Sequence, residues 1–230
     1  MKSILIQGKK FTYKIKRKTI HSIRLHLISL NSFSVSCPNL TPGFIVQKFI
    51  QNNLDWIINN SAKFKPKKRI LKLKSLKILG LKYQLIFKKT QTDSVLIFPD
   101  EQKIYVNVSR YKSKHARSLL EKKLRPFAST LIKKELANLS IEFGFKYNNV
   151  TVRNQSSRFG SCSSHGNLNF NWQIIFFPKS KFKHILLHEL THLKIKNHSS
   201  EFWRQLTVYD PKCKANNLWL KQKGTKRFIF

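Results

Sequence analysis

The sequence predicts an α+β protein with a strand-rich first half and a second half carried by helices. Three observations predict it. Apolar and polar residues alternate with period two through much of residues 1–110, as half-buried strands require. Residues 113–143 space their apolar side chains as a helix does. The segment from Lys181 is apolar nearly all round the helical wheel, the mark of a buried helix. With 230 residues, 41% of them hydrophobic and 18 of them Phe, the chain can bury a sizeable core. The reading divides it into a strand-rich part with one helix, residues 1–110, and a part holding the candidate site, residues 111–230. No repeat, low-complexity linker or sharp domain boundary is legible.

Taken in order, Ile23, Leu25 and Leu27 interleave with Arg24 and His26, and "LNS" leads to Phe33 and Val35. This predicts an amphipathic hairpin with one core face and one wet face. Thr41 as N-cap and Pro42 as first helical residue then open a helix of about 15 to 18 residues that runs past Ile57 and Ile58. In "KFKPKKRILKLKSLKIL", Pro66 marks a connection, and Leu71 and Leu73 alternate with Lys72 and Lys74. A strand with a solvated lysine face is expected there, and a nucleic-acid patch is the rival reading. Further strands are expected at Val95 and Ile97 and at Ile104, Val106 and Val108. Ala116, Leu120, Leu124, Phe127, Leu131 and Leu136 mark the long helix, which Pro126 should kink or split. "VRNQSSRFGSCSSHGNLNFNW" reads as two short strands around the turn-like "SSHGN".

The net charge of +35 has two explanations. It attracts polyanions such as nucleic acid or nucleotides, or it follows from AT-rich codon usage that favours Lys over Arg. Codon usage does not so easily account for only ten acidic residues. Weak nucleic-acid binding without sequence preference is the expectation. Cys37, Cys162 and Cys213 are odd in number and far apart, which argues against a disulfide framework or a cysteine zinc site and fits a reducing compartment. With no signal-peptide run and no apolar stretch of about 18 residues, a cytoplasmic protein without membrane partners is expected.

Residues 188–198 read "HELTHLKIKNH". His188 and His192 are four residues apart, so about 40° of rotation and about 6 Å of rise separate them and both imidazoles reach one ion. With Glu189 between them this is HExxH, in which two His bind zinc and the Glu is a general base. His184 is a rival partner for His188, but about 12 Å of rise separates it from His192, so only one pair chelates. A catalytic zinc needs a third protein ligand and an open position. His198 takes that place if the helix ends first, with Asn197 as a left-handed terminator and Ser199 or Ser200 capping a new helix, "SEFWRQL". Glu201 is the rival third ligand.

"SSRFGSC", "LNFNWQII", "HELTHL" and "KNHSSEFW" stand in the order found in the YgjP-like metallopeptidase family, relatives of the SprT and WLM zincins. The chain resembles that family from about residue 13 to 224. It departs at Phe159, where the family usually has Trp, and at Ile195, where metzincins of the same histidine spacing have Gly. The resemblance implies a zincin-like metallopeptidase domain with its HExxH helix in the C-terminal half. It also implies that the strand carrying Arg158 and Ser161 lines the cleft. Arg158, Ser161 and Asn171 then either touch substrate or brace the metal helix. Cys162 is a small buried residue, since nothing near it in sequence would form a thiolate.

The expected mechanism is hydrolysis at one zinc per chain held by His188, His192 and His198, with a zinc-bound water and Glu189 as base. Arg158, His165 and Tyr209 stand as unranked oxyanion donors. A peptide is the first substrate. The alternatives are a nucleotide phosphoanhydride hydrolase, meaning a nucleoside triphosphate pyrophosphatase, and a nucleic-acid-associated protein with a structural zinc.

Overall fold

The computed structural model describes residues 2–62, 70–155, 158–224, 228 and 230. The chain forms two compact units, Met1–Lys67 and Lys68–Phe230. In the first, β1 (Lys2–Ile6), β2 (Lys9–Lys18), β3 (Arg24–Ser29) and β4 (Ser32–Pro38) form a sheet of order β1-β2-β4-β3. The β2/β4 pair is parallel and the two outer pairs are antiparallel. Alternation puts Phe11, Tyr13, Phe33, Val35 and Cys37 on one face, where they join Val46, Ile50 and Ile57 in a core.

The helix expected after this sheet is two helices, α1 (Gly43–Gln51) and α2 (Leu54–Ala62). Asn53 breaks it, donating its amide to Phe49 O (2.7 Å) and its N–H to Ile50 O (3.0 Å), local bonds that compete with helix continuation. Pro42, not Thr41, is the N-cap of α1, and no side chain caps it.

The second unit opens on the same pattern. β5 (Ser75–Ile78), β6 (Leu81–Lys89), β7 (Ser94–Phe98) and β8 (Lys103–Val108) have the order β5-β6-β8-β7, again with the inner pair parallel and the outer pairs antiparallel. The first hairpin of each sheet closes on a two-residue turn with both φ positive: Gln7-Gly8 at 47° and 75°, Leu79-Gly80 at 49° and 91°. That is the turn whose twist matches a hairpin's. The chain thus repeats one four-stranded module, which the sequence conceals because each copy keeps the alternation and not the residues. Leu71 and Leu73 lie outside the strand expected of them. Ile70–Lys72 is a 3₁₀ turn and β5 starts at Ser75. The basic run around Pro66 lies outside the described residues.

Helix α3 (Ser113–Phe143) buries Ala116, Leu120, Leu124, Ala128, Ile132, Leu136 and Leu139 along one stripe and ends at left-handed Gly144. Pro126 sits inside it without splitting it. A three-stranded sheet of order β10-β11-β9 follows, made of β9 (Val150–Arg153), β10 (Gly160–Cys162) and β11 (Leu168–Asn171). Its edge strand β10 lies against α4 (Lys179–Thr191), which also packs on α5 (Ser200–Tyr209) and α6 (Cys213–Trp219). Phe182, Ile185, Leu186, Leu187 and Leu190 of α4 are all buried, as the all-round apolar wheel requires. The architecture is α+β. No described helix is long and apolar enough to cross a membrane.

Candidate active site and metal centre

The last turn of α4 carries His188 and Glu189, and the helix ends at Thr191 with His192 as C-cap. The expected stop at Asn197 is therefore several residues late. No left-handed residue makes it: Leu193 and Lys194 donate to Leu190 O and Thr191 O (3.0 Å each), the tight bonds that close a fraying last turn. The early stop frees residues 192–199 to fold back, and Ser199 caps α5 by accepting from Phe202 N (3.4 Å).

This return brings His198 to His188, with their Nε2 atoms 3.0 Å apart. Donor atoms of His188, His192 and His198 all lie within 4.8 Å of one another, a group able to hold a metal ion. Imidazole nitrogens at about 2.0–2.1 Å from one zinc sit roughly 3.3 Å apart, so the trio fits a tetrahedral ion. His192 Nδ1 lies 3.0 Å from Ile195 O, a bond that fixes the tautomer and leaves Nε2 for metal. Phe202 packs under His192 (4.5 Å between centroids) and Trp203 stacks on His198 (5.7 Å), holding the rings in place. Burial, helped by the neighbouring imidazoles, pushes His188 down to about 3, so it stays neutral and able to coordinate. Glu201 lies outside the trio, exposed in the first turn of α5.

His184 belongs to a different network. Its Nδ1 meets Asp210 Oδ2 at 2.6 Å, Asn216 donates to the same oxygen (2.8 Å), and Lys181 bonds Asn216 in turn. The competing His184/His188 pair is thereby removed.

Glu189 is buried, and burial pushes its carboxyl up to about 8 against the opposing pull of Arg158. The backbone of β10 closes over it. A Cβ on Gly160 would stand 2.7 Å from Glu189 Cγ and 2.8 Å from Oε1. Two cleft lobes, of about 250 and 270 Å³, meet at Arg158, Gly160, His188 and Glu189. One is walled by Phe159, Ile185 and Leu220, and the other by Ser161, Cys162 and Lys196. Asn171 is fully buried and donates to Gln155 O (2.6 Å) and Arg158 O (3.3 Å), tying down the backbone that bears Arg158. Burial pushes the Cys162 thiol up, away from thiolate character. Tyr209 is engaged by Gln205 (2.7 Å), and neither it nor His165 lines the cleft. Phe159, in the usual Trp position, packs edge-on against Phe177 (5.5 Å) and tightly on Gly224.

Gly160, Phe202 and Trp203 stand out only as members of the motifs "SSRFGSC" and "KNHSSEFW", and Lys196 does not stand out at all. The fixed spacing of "NHSSEFW" after the histidines is the only signal for the two aromatics.

Three imidazoles converging on one point beside a buried carboxylate, at the bottom of an open cleft, define the class as a metal-dependent hydrolase. A family model described as the YgjP-like metallopeptidase domain matches residues 21–223, and the chain belongs to that family. A comparison with curated proteins gave no match. Two solved structures are similar over part of the chain, both metallopeptidase zymogens. Jannalysin of Methanocaldococcus jannaschii is 27% identical, with 40% of this chain and 95% of that one covered and a TM-score of 0.36. Abylysin of Pyrococcus abyssi is 22% identical, with 40% and 93% covered and a TM-score of 0.35.

Proposed function

We propose that the protein is a zinc metallopeptidase that cleaves peptides with Glu189 as general base. The observation that carries this is the meeting of the His188, His192 and His198 donors, within 4.8 Å, at the cleft that Glu189 also lines. His188, His192 and His198 would hold a zinc ion, which when bound would supply polarisation of the attacked carbonyl and a water of pKa about 7. Glu189 takes the proton of the attacking water and hands it to the leaving amine. The free edge of β10 offers main-chain hydrogen bonds to an extended peptide running between the two lobes. Arg158, which lines both lobes, is the side chain we assign to the developing oxyanion, and Asn171 holds its backbone in place. The three free cysteines fit work in a reducing, cytoplasmic compartment.

Arg158, Lys196 and Lys221 in the cleft favour one competing substrate class, nucleoside triphosphates. A panel of peptides and nucleoside triphosphates, run with metal analysis on the same sample, separates the readings. Peptide products with about one zinc per chain are expected. Glu189→Gln should keep the zinc and lose at least about a hundredfold in rate, the lower range for removing a positioned base. Hydrolysis of triphosphates alone reassigns the substrate. Zinc retained with neither activity makes the centre structural.

A further inference from the structure

The outer face of the first unit's sheet takes no part in the metal centre, and its chemistry is distinctive. Because Phe11, Tyr13, Phe33, Val35 and Cys37 point inward, the alternate residues point out. The strand registers align these into rungs across β2, β4 and β3: Lys14–Ser34–His26 and Lys16–Ser36–Arg24. A third rung is Thr12–Ser32–Ser29, where Ser29 Oγ donates to Ser32 Oγ (2.9 Å). Lys10 and Lys18 extend the lysine column. Lys14, Lys16, Arg24 and His26 are exposed, whereas Ser34 and Ser36 are 3% and 6% exposed at the bottom. The face is therefore a trough walled by Lys14 and Lys16 on one side and by Arg24 and His26 on the other, roughly 10 Å apart, twice the spacing of neighbouring strands, with Ser34 and Ser36 closed beneath them. No carboxylate interrupts it, since the first acidic residue of the chain is Asp55.

General basicity does not produce this face, because the repeated module lacks it. The matching rungs of the second unit are Gln84–Lys103–Phe98, Ile86–Tyr105–Leu96 and Lys88–Asn107–Ser94. There Phe98 packs edge-on against Tyr105 (5.7 Å), and Lys103 is paired with Glu101 (2.9 Å).

We infer that the outer face of β2, β4 and β3 binds single-stranded RNA along its backbone. Lys14, Lys16 and Lys18 on β2 follow one another at about 6.7 Å, the scale of the step between phosphates on one strand. The trough admits one backbone and is too narrow for a duplex to descend into. The accessible hydroxyls of the third rung, on Thr12, Ser29 and Ser32, can donate to phosphate oxygens and accept from 2′-hydroxyls, which DNA lacks. With no Phe, Tyr or Trp on its rungs to stack bases, binding is independent of sequence and steeply salt-dependent.

The test is fluorescence anisotropy of the full-length chain with a short mixed-sequence RNA across a salt series. The triple variant Lys14→Glu, Lys16→Glu, Arg24→Glu should lose at least about tenfold in affinity and flatten the log–log salt slope by about 2, the share of three phosphate contacts. The matched reversal on the other module, Lys82→Glu, Lys88→Glu, Lys103→Glu, should stay within about threefold of wild type. Should circular dichroism show the first reversal unfolded, Lys14→Ala, Lys16→Ala, Arg24→Ala should give a smaller loss of the same sign. Equal losses in the two triple variants overturn the site in favour of bulk charge. DNA of the same sequence bound as tightly overturns the assignment to RNA, and capture of anionic lipid vesicles in place of RNA overturns the partner class. Hydrolysis at the metal centre should be untouched in the first triple variant, so this proposal and the peptidase reading fail separately.

Discussion

The two four-stranded modules share strand order, pairing directions and turn geometry, yet they differ in the elements that come after the last strand. After β4 the chain makes two nine-residue helices and a small apolar core, and among the described residues the buried polar side chains of this unit are Ser61 and, on the outward face of β4, Ser34 and Ser36. After β8 it makes the 31-residue α3 and then the elements that bury Asn171, Gln173, His184, Glu189, Asp210 and Asn216. The module itself needs almost nothing polar inside. Buried polar groups each require a partner, so their concentration beyond α3 marks where stability has been given up for chemistry.

The largest effects should come from matched core truncations. Phe33 and Ile104 are fully buried at corresponding positions on the strands β4 and β8. Phe33→Ala should cost about 3–5 kcal/mol and Ile104→Ala about 2–5 kcal/mol, read by denaturant unfolding. Metal content should fall in Ile104→Ala and hold in Phe33→Ala. If Phe33→Ala also strips the metal, the two units unfold as one and the comparison breaks.

Next in size is Gly160→Ala. The new methyl would meet Glu189 at 2.7 Å, so the carboxylate must shift. A displacement on that scale at the reacting group should cost about a hundredfold in rate with zinc retained. Unchanged activity would show that Glu189 does not need its present position. The smallest effect sharpens the likeness of the modules. Gly8→Ala and Gly80→Ala place a side chain at φ of 75° and 91° and should each cost about 1 kcal/mol, with activity unaltered. A large cost at one turn alone would show that the two are held differently.

Sequence reasoning reaches furthest where the relevant geometry is local. The four-residue spacing of His188 and His192 settles their common face within one helical turn, and alternation alone marks β4, β7, β8 and β11. It fails at Asn53, where a side chain competes for the backbone, and at Leu71 and Leu73, where alternation over four residues is too short to exclude a 3₁₀ turn. The repeat stays hidden because a sheet module constrains the pattern of burial and leaves the identity of its residues free.

The α+β class, the amphipathic elements and the HExxH pair are legible in the order of the residues, because periodicity acts over a few positions and is written directly there. Folding in three dimensions is what stops α4 at Thr191 so that His198 returns to His188, gives His184 to Asp210, and lays Gly160 against Glu189. Each of the last two joins residues more than twenty positions apart. Such meetings depend on how packed elements share one core, and no local spacing encodes that.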